Sequence, residues 1–316
     1  MLPSYPMTQD ITRYFESIQN RITKRHKQLS KWARTNHIQY YRLFDRDITE
    51  CPFIIDALSS YWLLWMCDSK LTTDEYDELT DMLTAHLTSI DDLPVIVKDR
   101  RKGASYDFAY DYEHTFTDIE EGGLQFKLNL TQYLDVGLFV DHRHTREYIR
   151  SKARDKRVLN LFAYTGSVSC YAIDGMAKHT TAVDLNKRYC QWHQDNCDLN
   201  GFKPDRYSII TQDVMQYLTA TKQQFDIIFC DPPSFSVTKD RRIKPFQVQE
   251  NGAELIQLCL DRLTPTGELI FSTNYKSFKM DAIVDGMGVQ VKELTKQMCP
   301  KDFVNKWGSR AWRIVL

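Results

Sequence analysis

The chain has no apolar run near the roughly 18–20 residues needed to cross a bilayer, and no signal-peptide core at its N-terminus. Neither membrane insertion nor export is indicated, and a cytoplasmic location is expected. Eight cysteines are present without a single C-x-x-C pair, so they read as reduced core thiols rather than a disulfide or zinc framework. The eight histidines, including His142 and His144, have no partners at metal-ligand spacing, and no metal is assigned. Repeats and low-complexity tracts are lacking. A formal net charge of −1 gives no overall pull toward nucleic acid. What remains is a globular chain of 316 residues, 42% hydrophobic, long enough for two domains.

The most informative stretch is the apolar run Phe225–Cys230 followed by Asp231-Pro232-Pro233-Ser234-Phe235. Two prolines fix φ and remove their N–H groups, so this loop presents carbonyl acceptors to a pocket. The aromatic two residues later can stack on a base lifted from its helix. A strand ending in Asp-Pro-Pro-x-aromatic resembles enzymes that methylate nitrogen atoms of nucleobases. Upstream, the short apolar run Val158–Leu161 enters a loop, Phe162-Ala163-Tyr164-Thr165-Gly166-Ser167, and a helix-like stretch from Val168 to Met176 follows. Thr180–Asp184 is a second strand ending in an acid, eighteen residues after Gly166. That interval suits a nucleotide-type β-α-β unit in which the acid accepts from ribose hydroxyls. The loop lacks G-x-G-x-x-G, which argues against a pyrophosphate cradle. S-adenosyl-L-methionine, with ribose and adenine but no phosphate, fits better.

The alternation continues. Arg188–Leu199 reads as a helix closed by Asn200-Gly201, and Tyr207–Thr211 as a strand with Asp213 past its end, placed to accept from an adenine amino group. A helix from Val248 to Leu263 leads to a strand at Glu268–Ser272. Further β segments are expected near Val289–Thr295 and Ala311–Leu316. Strands alternating with helices predict an α/β fold, a Rossmann-like, doubly wound parallel sheet binding its ligand at the strands' carboxyl ends. This domain is expected over 123–316, behind a smaller N-terminal α+β domain over 1–122.

The N-terminal domain opens with Ile11, Tyr14, Phe15, Ile18, Ile22, Leu29 and Trp32 at helical spacing, interleaved with Lys24, Lys27, Lys31 and Arg34. Strands at Gln39–Phe44, Phe53–Leu58, Tyr61–Cys67 and Leu93–Lys98 and a helix at Thr73–Ser89 follow, with Gly122-Gly123 turning into Leu124–Leu130. Further basic clusters hold Lys98, Arg100, Arg101 and Lys102, the stretch from Asp141 to Arg157, and Arg241 and Arg242 directly after the Asp-Pro-Pro loop. Such clusters are candidate phosphate contacts, or solvated faces.

Nearly the whole chain resembles the guanine-N7 half of the bifunctional 23S ribosomal RNA methyltransferase family, whose halves modify guanine at N2 and N7. The resemblance rests on Lys31-Trp32-Ala33-Arg34, Tyr41-Arg42-Leu43, Asn129-Leu130-Thr131 with Tyr133-Leu134-Asp135, Gly137-Leu138-Phe139 with Asp141-His142-Arg143, Asn160-Leu161-Phe162, Tyr164–Ser167, Asp231-Pro232-Pro233 with Phe235-Ser236, and Phe271-Ser272 with Asn274. It implies a seven-stranded class I methyltransferase domain and an N-terminal domain that orients RNA. The segment ending at Asp141-His142-Arg143 packs over the cofactor in that family, which implicates Tyr133, Phe139, Asp141 and Arg143. The implied cofactor set adds Asn160, Phe162, Tyr164, Thr165, Gly166, Ser167, Asp184, Leu185, Asp213 and Val214. Asp231, Pro232, Pro233, Phe235 and Asn274 fall to catalysis. The implied partner is 23S rRNA or its precursor particle, with the guanine-N2 module separate or fused.

Chemistry narrows the reaction. Cytosine-C5 methylation needs a cysteine thiolate, which in related enzymes follows the strand occupied here by Phe271-Ser272-Thr273-Asn274. This chain has Thr273 and Asn274 there. Guanine N7 carries an in-plane lone pair and no proton, so alignment alone suffices and no His/Asp couple is expected. Methylation of an exocyclic amine, guanine N2 or adenine N6, is the alternative within enzymes. An RNA-binding or assembly factor without turnover is the alternative outside them.

Overall fold

Apolar residues three and four apart make one face of helix α1 (Thr8–Thr35): Phe15, Ile18, Ile22, Leu29 and Ala33 are buried, while Lys24, Lys27, Lys31 and Arg34 are exposed. The computed structural model describes residues 8–48, 51–101, 116–236, 245–303 and 308–316, with side chains from residue 14. Lys102, Arg241 and Arg242 lie outside the described residues, as does the Ile11 side chain.

The chain divides into two compact units, Met1–Gly123 with Leu128–Val136, and Leu124–Lys127 with Gly137–Leu316. The first departs from a single break after residue 122 by taking back the segment 128–136. In it β1 (Tyr40–Asp45), β2 (Phe53–Leu58) and β3 (Trp62–Met66) form an antiparallel meander. Helix α2 (Thr73–Ile90) then carries the chain to β4 (Val95–Asp99), parallel to β3. The capping box Thr72/Glu75 starts α2: the Glu75 carboxylate accepts from the Thr72 N–H at 2.6 Å. Strand β5 (Phe116–Glu121), not expected from the sequence, and β6 (Leu124–Asn129) flank the Gly122-Gly123 turn, where φ is 62° and 80°.

Every residue of β2 is buried, including Asp56 at 0% exposure. Its carboxylate accepts from Arg42 Nε at 2.7 Å and Nη2 at 3.1 Å, from Trp65 Nε1 at 2.9 Å and from the Tyr40 hydroxyl at 3.2 Å. A buried charge is tolerated only with such saturation.

The first helix of the second unit is α3 (Arg143–Lys152), formed from the basic cluster that sequence reading left unassigned. Then follow β7 (Arg157–Leu161), α4 (Ser167–Asp174), β8 (His179–Asp184), α5 (Lys187–Leu199), β9 (Tyr207–Thr211), α6 (Val214–Ala220) and β10 (Phe225–Cys230). The short pair β11 (Phe235–Ser236) and β12 (Phe246–Gln247) precedes α7 (Val248–Leu260), β13 (Leu263–Thr273), α8 (Met280–Ile283), β14 (Gln290–Glu293), α9 (Thr295–Met298) and β15 (Arg310–Val315).

Seven strands form one sheet in the order β14-β15-β13-β10-β7-β8-β9. The sheet is mixed rather than wholly parallel: β15 inserts between β13 and β14 and runs antiparallel to both. The parallel expectation assumed a crossover helix before each strand, but antiparallel neighbours need none. The chain lays β8 and β9 on one side of β7, then returns to place β10 on the other. Strand order reverses at β7/β10, and the loops leaving their carboxyl ends diverge, which is where open α/β sheets bind ligands. No described helix is long and apolar enough to cross a membrane.

Asp56→Ala would leave the Arg42 guanidinium, Trp65 Nε1 and Tyr40 hydroxyl without their shared acceptor. Denaturant unfolding of the first unit, followed by tryptophan fluorescence, is expected to show a loss of about 3–5 kcal/mol.

Candidate active site

The loop leaving β7 holds an unusual backbone. Phe162 (φ 54°), Tyr164 (φ 51°) and Gly166 (φ 75°) are all left-handed, and two of the three are not glycine. Asp184, at the end of β8, supports this geometry: one carboxylate oxygen accepts from the Tyr164 N–H at 2.8 Å, the other from the Asn186 N–H at 2.8 Å. Each oxygen keeps a second lone pair. Burial raises the Asp184 pKa, against those two backbone N–H donors and His193, which lower it.

Apolar surface surrounds this acid. Leu185 and Phe139 are each 42% exposed, and the Phe139 ring lies 5.2 Å from that of Tyr164, which also meets Tyr189 at 4.6 Å. Across the strand end, Asp213 caps α6 by accepting from the Gln216 N–H at 2.9 Å through one oxygen. Its other oxygen and the N–H of Val214, at the first turn of α6, are the polar groups available there. The Val214 side chain packs into the core. Ser167 opens α4 and is half-buried.

Cys230 pairs with Leu161 across β10 and β7, so Asp231 emerges beside Phe162 at the strand switch. Pro232 is buried and Pro233 exposed; Phe235 on β11 is 57% exposed. Ser234 Oγ donates to Asn274 Oδ1 at 2.5 Å, tying this loop to the one leaving β13. Contrary to the expectation of no His/Asp couple, His142 Nε2 lies 3.2 Å from Asp231 Oδ2. Burial opposes charging His142, but Asp231 and Asp141 outweigh it and raise its pKa above 6.5. Sequence reading had weighed His142 only as a metal ligand, although it stands inside the segment Asp141-His142-Arg143.

Several residues expected at the cofactor also make structural contacts. Thr165 is buried, with Oγ1 donating to the Gly137 carbonyl at 2.6 Å, and its own carbonyl accepts from Asn196 Nδ2 at 2.9 Å. Asn160, on β7, is buried with its amide donating to Ser169 Oγ at 3.0 Å. Arg143 neutralises buried Asp302 at 2.9 Å, because an acid at 2% exposure needs a cation. Gly166 is confined by His193: a Cβ there would lie 1.9 Å from that ring. Asp141 accepts from Ser309 Oγ at 3.0 Å and abuts Gly308, where a Cβ would come within 2.3 Å of its carboxylate. Arg146, read in the sequence as part of a basic cluster of candidate phosphate contacts or a solvated face, is instead wholly buried and donates to the Phe139 carbonyl at 2.7 Å, bracing the exposed ring.

In the first unit, Lys98 is no phosphate contact. It is 5% exposed and donates to the Leu130 carbonyl at 3.0 Å and to the Tyr133 carbonyl. Arg100 pairs with Asp135 and lies 4.2 Å over the Trp65 ring; Arg101 pairs with Asp99 at 2.6 Å and covers Tyr76. Both cations are neutralised where they stand.

Residues 84–294 match the family described as S-adenosylmethionine-dependent methyltransferase. The chain belongs to that family. Among relatives of this methyltransferase, "Ribosomal RNA large subunit methyltransferase K/L" of Shewanella loihica is 38% identical over 311 residues, covering 95% of this chain and 44% of the relative. The protein of that name from Pseudomonas putida is 38% identical over 323 residues, covering 98% and 44%. The methyltransferase thus spans less than half the length of these curated relatives. In fold it is similar to the crystal structure of the methyltransferase SMU.776 complexed with SAH, with a TM-score of 0.79 at 24% identity, covering 100% of this chain and 83% of that one.

The cofactor is S-adenosylmethionine, and the donor set suits it. Asp184 keeps acceptor lone pairs at the end of β8, the rings of Phe139 and Tyr164 and the exposed Leu185 stand beside it, and Asp213 caps α6 just past the end of β9. Asp184→Ala is expected to weaken S-adenosylmethionine binding by about 2–3 kcal/mol in calorimetry. With ribose hydroxyls donating to the ionised carboxylate, wild-type affinity is expected to fall as pH drops through the raised Asp184 pKa, and Asp184→Asn to flatten that dependence. For His142, imidazole NMR should place the pKa above 6.5 in wild type. In Asp231→Asn it should fall, since burial then prevails.

Proposed function

We propose that this chain methylates N7 of a guanine in bacterial 23S rRNA. The observation carrying this reading is the Asp231-Pro232-Pro233 loop at the strand switch, ending in the exposed ring of Phe235. An aromatic left open beside the cofactor's strand ends offers a flipped base a face to stack on. The methyltransferase-K/L name of the curated relatives supplies the substrate class, large-subunit rRNA. A guanine-N2 module, fused or separate, is the corresponding partner.

Bound S-adenosylmethionine supplies an electrophilic methyl group on a positively charged sulfur. The chain's own residues align and exclude. Phe235 holds the base plane, the Pro232-Pro233 backbone fixes the loop, and the Ser234–Asn274 hydrogen bond sets its distance from β13. The nucleophile is the guanine N7 lone pair, so no enzyme base acts. Cytosine-C5 chemistry lacks its thiol: Asn274 is exposed at the expected position, and Cys230 is 0% exposed with a pKa pushed up by burial. The exposed stripe Lys24, Lys27, Lys31 and Arg34 on α1 is proposed to meet RNA phosphates.

The His142–Asp231 pair favours a second reading, methylation of an exocyclic amine, because an attacking amine must shed a proton and this pair can receive it. The product separates the two. N7-methylguanosine carries a positive charge that labilises its ribose bond, so RNA methylated here should be cut after borohydride and aniline. Labelled RNA that resists this cleavage would assign the amine instead. In either case Phe235→Ala should slow methyl transfer about 5- to 150-fold with cofactor affinity intact, from the roughly 1–3 kcal/mol of one base–aromatic stack.

A further inference from the structure

Three buried side chains of metal-ligand type converge behind the cofactor loop. Cys170 lies on α4, and His193 and Cys197 lie one helical turn apart on α5. Their donor atoms all fall within 4.8 Å of one another. His193 is 1% exposed, and neither ring nitrogen has an oriented hydrogen-bond partner among the described residues. A buried polar group in that state is destabilising, because it has given up water without a replacement partner. Both thiols are 0% exposed. Apolar residues of like volume would fill this space without such tension.

We propose that Cys170, His193 and Cys197 bind a thiophilic cation, Zn²⁺. Two thiolates, one neutral imidazole and a divalent ion sum to zero charge, which is what a complex buried from water requires. Sulfur with imidazole selects Zn²⁺ or Cu⁺ over Mg²⁺ or Ca²⁺, and Cu⁺ would leave a net negative charge. Zn–S bonds of about 2.3 Å and Zn–N bonds of about 2.0 Å set tetrahedral donors roughly 3.4–3.8 Å apart, so the side chains need draw in by no more than about 1 Å. Three protein donors leave a fourth position for water or another small ligand. Binding releases two thiol protons to solvent.

The site would pin the cofactor loop from behind. His193 is the side chain that excludes a Cβ at Gly166, so a metal that holds its ring between α4 and α5 also holds the left-handed turn. The absence of C-x-x-C pairs concealed the cluster, because two ligands sit four residues apart on one helix and the third comes from another.

The test uses the full chain, purified under reducing conditions without chelator. Elemental analysis is expected to find about one Zn²⁺ per chain. Co²⁺ titrated into metal-stripped protein should develop a sulfur-to-cobalt charge-transfer band that saturates at one equivalent, and Zn²⁺ should abolish it. Cys197→Ser should weaken Zn²⁺ binding on the order of 100-fold or more, and Cys51→Ser, in the first unit, should not. A folded wild-type chain with reduced thiols that takes up no stoichiometric Co²⁺ band overturns the proposal, as does a Cys170–Cys197 disulfide as the resting state. The wild-type spectrum decides the matter even where a variant fails to fold.

Discussion

The reversal of strand order between β7 and β10 is the constraint on which the rest of the second unit depends. Parallel neighbours whose connections leave in opposite directions cannot close over their own carboxyl ends, so a crevice is left there. The loop after β7 must turn sharply to line it, which puts Phe162, Tyr164 and Gly166 in left-handed geometry. Asp184 makes that turn affordable by accepting from the Tyr164 N–H, and the same carboxylate keeps lone pairs for ribose. One acid thus fixes the loop and retains acceptor capacity.

The wall is supported from behind by α5. A Cβ at Gly137 would lie 2.3 Å from the Trp192 ring, and one at Gly166 would strike His193, so consecutive residues of a single helix set both glycines. Asn196 adds a hydrogen bond to the Thr165 carbonyl while accepting from the Lys127 N–H at 3.0 Å. A helix this closely packed against the loop is a sensible place for a metal, since small shifts of its ring would move the cofactor site.

On the catalytic side, the His142–Asp231 pair ties the Asp-Pro-Pro loop to the segment before α3. For an N7 nucleophile the pair is a positioning device, holding Asp231 so that the loop presents Phe235 outward. It is also the element through which closely related folds could take up amine chemistry, because changing the proton acceptor requires no change of scaffold.

The alternation of apolar runs and helical stretches, the strand-end acids and the Asp-Pro-Pro-x-aromatic loop were all legible in the sequence, because each follows from local rules of periodicity and backbone restriction. Strand Tyr207–Thr211 and the termination of α5 before Gly201 needed nothing else. Local rules do not say which partner a side chain meets. Lys98 and Arg143 read as surface or ligand cations, yet tertiary packing buries them against carbonyls and Asp302, since a buried acceptor must be satisfied by whichever donor the fold brings. Thr165 and Asn160 were turned inward for the same reason. The mixed edge of the sheet and the His142–Asp231 pair join residues far apart in the chain, and the cluster joins Cys170 on α4 to His193 and Cys197 on α5. Their spacing carries no signal, and only the folded geometry decided them.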